Sequence, residues 1–263
     1  MLLNAGDASS WGEIIIQCRK ERSPFPLLSQ ERPEADIAFA YSVQRDAVAR
    51  LVKGNGDTIV GYKAGLTSSP AQHRFGIKEP LAGVLLASMD RSRNAVIQVA
   101  EFQVLMIETE IAFVVGKRIR KPLKSKRSLR RRLRMAVAAI ELPDLAFTDM
   151  EHLAAVDIAA ANVAAAGFLK GSGGVRDGLD DLAGLRVTLE KGGVTVNEGT
   201  GSDTLGDPLE AALWLVNASV AQGYTIEPGH ILLSGALGKM IPATPGEYRA
   251  DYGDLGTIRF TIR

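Results

Sequence analysis

Glu108 and Glu110 are the residues of this chain best placed to do chemistry. They sit one apart in an apolar run, Phe102 to Val115, whose centre reads Ile107-Glu108-Thr109-Glu110-Ile111. The run has the texture of a strand, and a strand alternates its faces, so the two acids point the same way. Ile107, Thr109, Ile111, Phe113 and Val115 point the other way, and Ala112 and Val114 continue the acidic face. A strand apolar on both faces is one covered on both sides. Two carboxylates there repel by about 3 kcal/mol at a separation of about 5 Å and an effective dielectric near 20, before desolvation is counted. A cation, a protonated carboxyl or a basic partner must offset that cost. Oxygen-only ligands suit a hard divalent ion, magnesium or manganese. The plain alternative is a rim strand whose Glu pair stands in water.

A third acid, Glu141, ends another apolar run, Ala138-Ala139-Ile140-Glu141-Leu142-Pro143. Three carboxylates and one divalent cation leave one negative charge, which a lysine would neutralise. Lys63 is the candidate, in Val60-Gly61-Tyr62-Lys63-Ala64-Gly65-Leu66-Thr67-Ser68. An isolated lysine in a Gly-rich apolar strand either serves such a site or snorkels to solvent.

The elements that must carry these residues are legible in outline. Ser10-Trp11-Gly12-Glu13 has capping-box spacing and opens a helix that Pro24 and Pro26 break. A second helix is expected from about Pro33 to Lys53, ending at Gly54 or Gly56. From Thr58 the texture changes to short strands: Thr58 to Lys63, Phe102 to Val115, a hairpin of Leu185–Glu190 and Gly193–Asn197, Ile231 to Ser234, and Thr257 to Ile262. Asp207-Pro208-Leu209-Glu210 starts a helix that runs to about Gly223, with its cap, its proline and its Glu in helix-opening order. Strands with inserted helices, lacking a regular βαβ alternation, predict an α+β fold. The division expected is an N-terminal helical segment, residues 1–57, and a metal-binding catalytic domain, residues 58–263.

With 263 residues, 46% hydrophobic and 23% charged, the chain has the balance of an ordinary globular protein with room for a large core. Net charge is +1, so no global field points to nucleic acid or to a membrane. Cys18 is the single cysteine, which rules out an internal disulfide. Met1 to Gln17 lacks the marks of a signal peptide, and no run reaches the length of a membrane span. A cytoplasmic protein is the expectation. Lys117 to Arg134 holds eleven Lys or Arg among eighteen residues. No aromatic residue is interleaved for base stacking, so the segment reads as a solvated face or an oligomer contact, with no nucleic-acid role. Within it begins an expected helix, Ser128 to Ile140, with one basic face and Leu129, Leu133, Val137 and Ile140 buried. Gly171-Ser172-Gly173-Gly174 lacks the Gly-Lys-Ser/Thr of a phosphate loop. His73, His152 and His230 are scattered, and no nucleophile elbow is present.

Several segments in one order carry a resemblance. Gly61-Tyr62-Lys63-Ala64-Gly65-Leu66-Thr67-Ser68, Glu79-Pro80-Leu81-Ala82-Gly83, Ile107 to Val114, Ala139-Ile140-Glu141, Gly201 to Pro208, and Leu233-Ser234-Gly235-Ala236-Leu237-Gly238-Lys239-Met240 resemble motifs of one family. It is the 2-keto-4-pentenoate hydratase / 4-oxalocrotonate decarboxylase family of the fumarylacetoacetate hydrolase superfamily. The resemblance spans roughly residues 35 to 263. It implies a rolled, mixed β-structure with flanking helices, a homo-oligomer and an Mg2+ or Mn2+ ion bound by Glu108, Glu110 and Glu141. It further implies that Lys63 faces the carboxylate and 2-oxo group of a small 2-keto acid, with Thr67, Leu81 and Asn162 beside the substrate.

The departures concern proton transfer. Hydratases of the family usually carry Glu-Pro-Asp-Phe-Gly, and the Asp position is Leu81 here, as in the decarboxylase branch. The late Gly235-Ala236-Leu237-Gly238 loop has the hydratase form. The family's Asp-Asn-Ala-Ser-Ser reads Ala161-Asn162-Val163-Ala164-Ala165, and the Ser-Arg expected after Asp144 is absent. Glu79 or a metal-bound water is then left for the proton step. The expected activity is a metal-dependent hydratase acting on a short 2-hydroxydienoate from aromatic ring cleavage. The alternatives are a 2-oxo dioate decarboxylase of the same family, or a degenerate homologue that binds metal or a sister subunit without turnover.

Overall fold

The computed structural model describes residues 7–176 and 181–263. Residues 1–6 and 177–180, one stretch in each of the two expected parts of the chain, lie outside them. Three helices come first: α1 (Ala8–Glu21), α2 (Leu28–Glu31) and α3 (Ile37–Asn55). Asp7 caps α1, its carboxylate accepting from the Ser10 amide at 2.8 Å. The helix therefore opens one turn before the expected Ser10 box, and it ends at a left-handed Arg22 rather than at a proline. Asp36 caps α3 in the same way, and Gly56, left-handed at φ 65°, stops it.

The rest of the chain alternates β1 (Ile59–Gly65), α4 (Ser69–Arg74), β2 (Leu81–Leu86), β3 (Val96–Ile97), β4 (Met106–Val115), α5 (Lys126–Arg130) and β5 (Leu133–Pro143). Then come α6 (Ala155–Ala160), β6 (Ala165–Lys170), β7 (Arg186–Lys191), β8 (Val194–Thr200), α7 (Pro208–Ala221), β9 (Ile231–Ala236), β10 (Ile241–Pro242), β11 (Gly246–Asp251) and β12 (Thr257–Ile262). One sheet has the order β2-β1-β9-β4-β5-β6, with β10 beside β4; a second has the order β3-β12-β11-β7-β8. The β1–β9 and β12–β3 pairs are parallel and the others antiparallel. Mixed sheets with helices against them make the fold α+β.

The centre of the first sheet is the most deeply buried part of the chain. Ile107, Ile111 and Phe113 of β4 are inaccessible to solvent, as are Leu232 and Leu233 of β9. α7 lays Leu209, Ala212, Leu215 and Val216 into the same core. A second apolar cluster joins Trp11 and Ile15 of α1, Val43 and Ala47 of α3, and Ile158 and Ala159 of α6. The N-terminal helices thus pack against the segment that follows the third acid.

The expected helix over Ser128–Ile140 is corrected. α5 stops at Arg130, and Leu133 to Pro143 form β5 between β4 and β6. Ala136 to Ile140 are all buried. A helix would bury one stripe of that run, whereas a central strand buries both faces and satisfies the backbone on both sides. The basic segment splits accordingly, part connecting β4 to β5 and part entering the sheet. Arg118 pairs with Glu227 at 2.5 Å, and Lys126 with Asp207 at 2.7 Å. Among the described residues, no helix is long and apolar enough to cross a membrane.

Asp207 does two jobs, accepting from the Leu209 amide at 2.8 Å to cap α7 and pairing with Lys126. Asp207→Ala should destabilise the fold by about 1 kcal/mol, the usual cost of a lost cap. Thermal unfolding checks this, and magnesium affinity should not change, because the cap lies outside the acidic cluster.

Candidate metal centre and substrate cavity

The β4–β5 register brings the acids together. Glu108 is the direct cross-strand partner of Glu141, and Glu110 sits two residues further along the same face. Ligand oxygens of Glu108, Glu110 and Glu141 lie within 4.8 Å of one another. Glu110 and Glu141 are fully buried, while Glu108 is partly open and lines a cavity. Lys63, on β1, reaches the cluster with Nζ 2.9 Å from Glu141 Oε1, and it also donates to the Val163 carbonyl at 3.1 Å. The lysine does not snorkel: it is 3% exposed.

The electrostatics follow from burial. Desolvation, then the Glu141 charge, pushes the Glu108 carboxyl up to about 7. Glu110 is also raised well above its ordinary value, by desolvation first and then by Glu141 and Glu108. Burial alone would depress the Lys63 ammonium, but Glu141, Glu108 and Glu110 outweigh it and hold the group above its ordinary value.

A divalent cation fits this site. Glu110 Oε2 accepts from the Gly235 amide at 2.8 Å, but Glu110 Oε1 and Glu141 Oε2 are buried without a hydrogen-bond donor, and Glu141 Oε1 meets only the Lys63 ammonium. Orphaned buried carboxylate oxygens cost several kcal/mol each unless a charge meets them. All the donors are oxygens, the set that suits magnesium, manganese or calcium.

The end of β9 and the residues after it complete the wall. Gly235 is left-handed at φ 109°, and a Cβ there would come within 2.4 Å of Thr67 Oγ1, so only glycine lets its amide reach Glu110. Thr109 Oγ1 donates to the Leu237 carbonyl at 2.7 Å and fixes the residues after the strand. The cavity, about 490 Å3, runs from Lys63, Thr67 and Glu108 past Leu66, Phe75, Leu153 and Ile158, with Arg74, Lys239 and Met240 also in its wall. One part is charged and the rest is largely apolar.

The structure brings Lys63, Thr67, Glu108, Glu110 and Glu141 to one place. It does not bring the other three expected residues into the cavity wall. Glu79 is exposed on the loop before β2. Leu81 is 2% exposed and belongs to the second apolar cluster. Asn162 is buried, and its amide is spent on Val84, accepting from the Val84 amide and donating to the Val84 carbonyl, both at 2.8 Å. Two contributors were invisible in the sequence: the Gly235 amide and the Val163 carbonyl. Both are backbone groups, so residue type gives no signal for them. Conversely, the apolar wall drew its residues from four separate loops and helices.

The chain is 32% identical over 244 residues to 2-keto-4-pentenoate hydratase from Paraburkholderia phymatum, covering 92% of each chain. The chain belongs to the 2-keto-4-pentenoate hydratase family. Another family member, 2-oxo-hept-4-ene-1,7-dioate hydratase from Escherichia coli, is 31% identical over 248 residues, with 92% of each chain covered. The fold is shared with 4-oxalocrotonate decarboxylase from Pseudomonas putida G7, complexed with magnesium and adipate, at a TM-score of 0.91, 24% identity and 99% coverage of both chains. No sequence-family model matches the chain.

Two outcomes follow. Glu108→Ala and Glu110→Ala should each lower magnesium affinity at least about tenfold, as expected for losing one charged ligand; calorimetric titration measures it. The metal-free protein should also lose stability as pH rises. Glu108 has a raised folded-state value, so its favourable contribution is complete below the ordinary 4.5 and is lost as pH passes through about 7. Denaturant midpoints across that window, compared with Glu108→Gln, should show the slope in the parent and a shallower one in the variant.

Proposed function

We propose that the chain is a divalent-metal-dependent hydratase that adds water to a short 2-hydroxydienoate or 2-keto-4-enoate acid from aromatic ring-cleavage catabolism. The observation that carries this reading is the set of buried, donor-less carboxylate oxygens beside one buried ammonium at a cavity. Family membership supports it. Glu108, Glu110 and Glu141 would hold the ion, Mg2+ or Mn2+. When bound, the ion supplies Lewis-acid polarisation of a carbonyl oxygen and stabilises the negative charge that develops there.

The chain's own residues do the rest. The Gly235 amide holds Glu110 in place. Lys63 offers its ammonium to the acid's carboxylate, beside Thr67, in a site closed to bulk water where a charged hydrogen bond is strong. Leu66, Phe75, Leu153 and Ile158 pack against the hydrocarbon chain. Among the described residues, the cavity wall contains no Asp or His. Glu79 also lies outside the wall, so the proton step is assigned to a water molecule and not to Glu79.

A second reading, decarboxylation of a 2-oxo dioate, is favoured by one feature, the apolar Leu81 where related hydratases usually carry an acid. A catalytically silent metal-binding homologue is the third, motivated by Ala161, Ala164 and Ala165. We place the protein in the cytoplasm, as a homo-oligomer with no nucleic-acid partner, or alongside a sister subunit. The finer fold assignment belongs to the same reading: the two mixed sheets form the rolled β-structure of the fumarylacetoacetate hydrolase C-terminal type, preceded by the helical segment 1–57.

A single assay separates the three. With magnesium present, 2-hydroxypenta-2,4-dienoate should lose its ultraviolet absorbance without carbon dioxide release. Carbon dioxide from a 2-oxo dioate would replace the hydratase reading, and full metal affinity with no turnover would establish the silent homologue. Lys63→Met should raise the Michaelis constant about 10- to 100-fold, the worth of a charged hydrogen bond, or abolish turnover, while metal binding persists. Normal kinetics in that variant would remove Lys63 from the site.

A further inference from the structure

Between α6 and β6 the chain makes a turn that L-residues avoid. Asn162, Val163 and Ala164 are consecutive and all left-handed, at φ 59°, 53° and 54°. Each such residue costs roughly 1–2 kcal/mol, and a β-branched one is a genuine outlier. Strain of this kind persists only where surrounding contacts over-determine it.

Those contacts come from three directions. The Asn162 side chain pairs with both backbone groups of Val84, as an extra strand residue would. The Ala164 carbonyl accepts from the Asp144 amide at 3.0 Å. From α1, the two terminal nitrogens of Arg19 donate to the Ala165 and Ala161 carbonyls, each at 3.1 Å. One planar guanidinium thus brackets the turn at both ends, which a lysine could not do. The turn aims one group at the site: the Val163 carbonyl accepts from Lys63 Nζ at 3.1 Å. β1 makes room for it, since a Cβ at Gly65 would stand 2.4 Å from Val163 Cγ1.

We propose that Arg19 is a positioning residue for Lys63, acting through the strained turn 161–165 and the Val163 carbonyl. Lys63 is pulled by the acidic cluster on one side, and its only other hydrogen-bond acceptor among the described contacts is this carbonyl. The carbonyl holds the ammonium at the cavity instead of letting it collapse among the glutamates, where it would compete with a cation. Arg19 does this from a helix with no residue in the cavity wall. The N-terminal helix is thereby part of the substrate-binding apparatus. The proposal rests on the reading of Lys63 as the group that binds the acid.

The test uses the full-length, magnesium-loaded protein. Arg19→Ala should raise the Michaelis constant for the dienoate about tenfold with kcat nearly unchanged, the signature of lost uniform binding. Magnesium affinity should stay within about twofold. Guanidinium ion at sub-denaturing concentration should restore the Michaelis constant, because Arg19 also lines a separate cavity of about 150 Å3 that can admit it. Arg19→Lys should not restore it. An unchanged Michaelis constant, or a lower active fraction with no rescue, overturns the proposal. If Arg19→Ala does not fold, Asn162→Ala breaks the other clamp and should give the same kinetic pattern. A crystal structure of whichever variant folds keeps this test apart from the assigned reaction. Lys63 Nζ should have left the Val163 carbonyl even if no dienoate proves to be a substrate. An ammonium still hydrogen-bonded there overturns the proposal.

Discussion

Three carboxylates and one ammonium share a site that the fold largely closes to water, and the surrounding structure is built to tolerate that charge. With all four ionised the site carries three negative charges and one positive, a net of −2, the charge one divalent cation cancels. Burial makes each imbalance expensive, because at low effective dielectric an unpaired carboxylate loses its hydration without compensation. Without a cation, burial and the neighbouring glutamates raise the Glu108 and Glu110 carboxyls above their ordinary value.

The architecture follows from that requirement. The acids sit on β4 and β5, adjacent antiparallel strands inside the sheet, where register fixes their separation and neither strand can slip by one residue without moving every side chain to the wrong face. Lys63 comes from β1, two strands from β4 across β9 in the same sheet, so a rigid sheet spaces the opposite charges. Two backbone groups complete the cluster: the Gly235 amide, from the irregular end of β9, to Glu110 and the Val163 carbonyl, from the turn after α6, to Lys63. Both sit where the backbone is left-handed, one at a glycine and one at a valine held in place from outside.

Much of this was legible in the sequence, for identifiable reasons. Alternation on β4 separated Glu108 and Glu110 from Ile107, Thr109 and Ile111, because a strand's period of two is rigid. Asp207-Pro208 marked the start of α7, because caps are local. The helix expected over Ser128–Ile140 failed because Ala-rich runs carry no period, and pairing with β4 and β6 decided between helix and strand. The Ser10 cap failed because Asp7 offered a stronger acceptor one turn earlier. At the site, side chains that contribute charge were readable, while Leu81, Asn162 and Glu79 were placed by resemblance and stand outside the cavity wall. Asn162 shows why: its amide was read as a substrate contact, and the fold uses it to hold a turn. The roles of Arg19 and Val163 exist only in three dimensions, since 142 to 146 residues separate Arg19 from the carbonyls it binds.

The central claim is that one cation replaces the missing donors of the three glutamates while Lys63 keeps its place. Anomalous diffraction from crystals grown with manganese tests this most directly. The account predicts a single manganese peak at about 2.0–2.3 Å from oxygens of Glu108, Glu110 and Glu141, with Lys63 Nζ still beside Glu141. A cluster without a peak at saturating manganese, or a peak ligated by other residues, would contradict it.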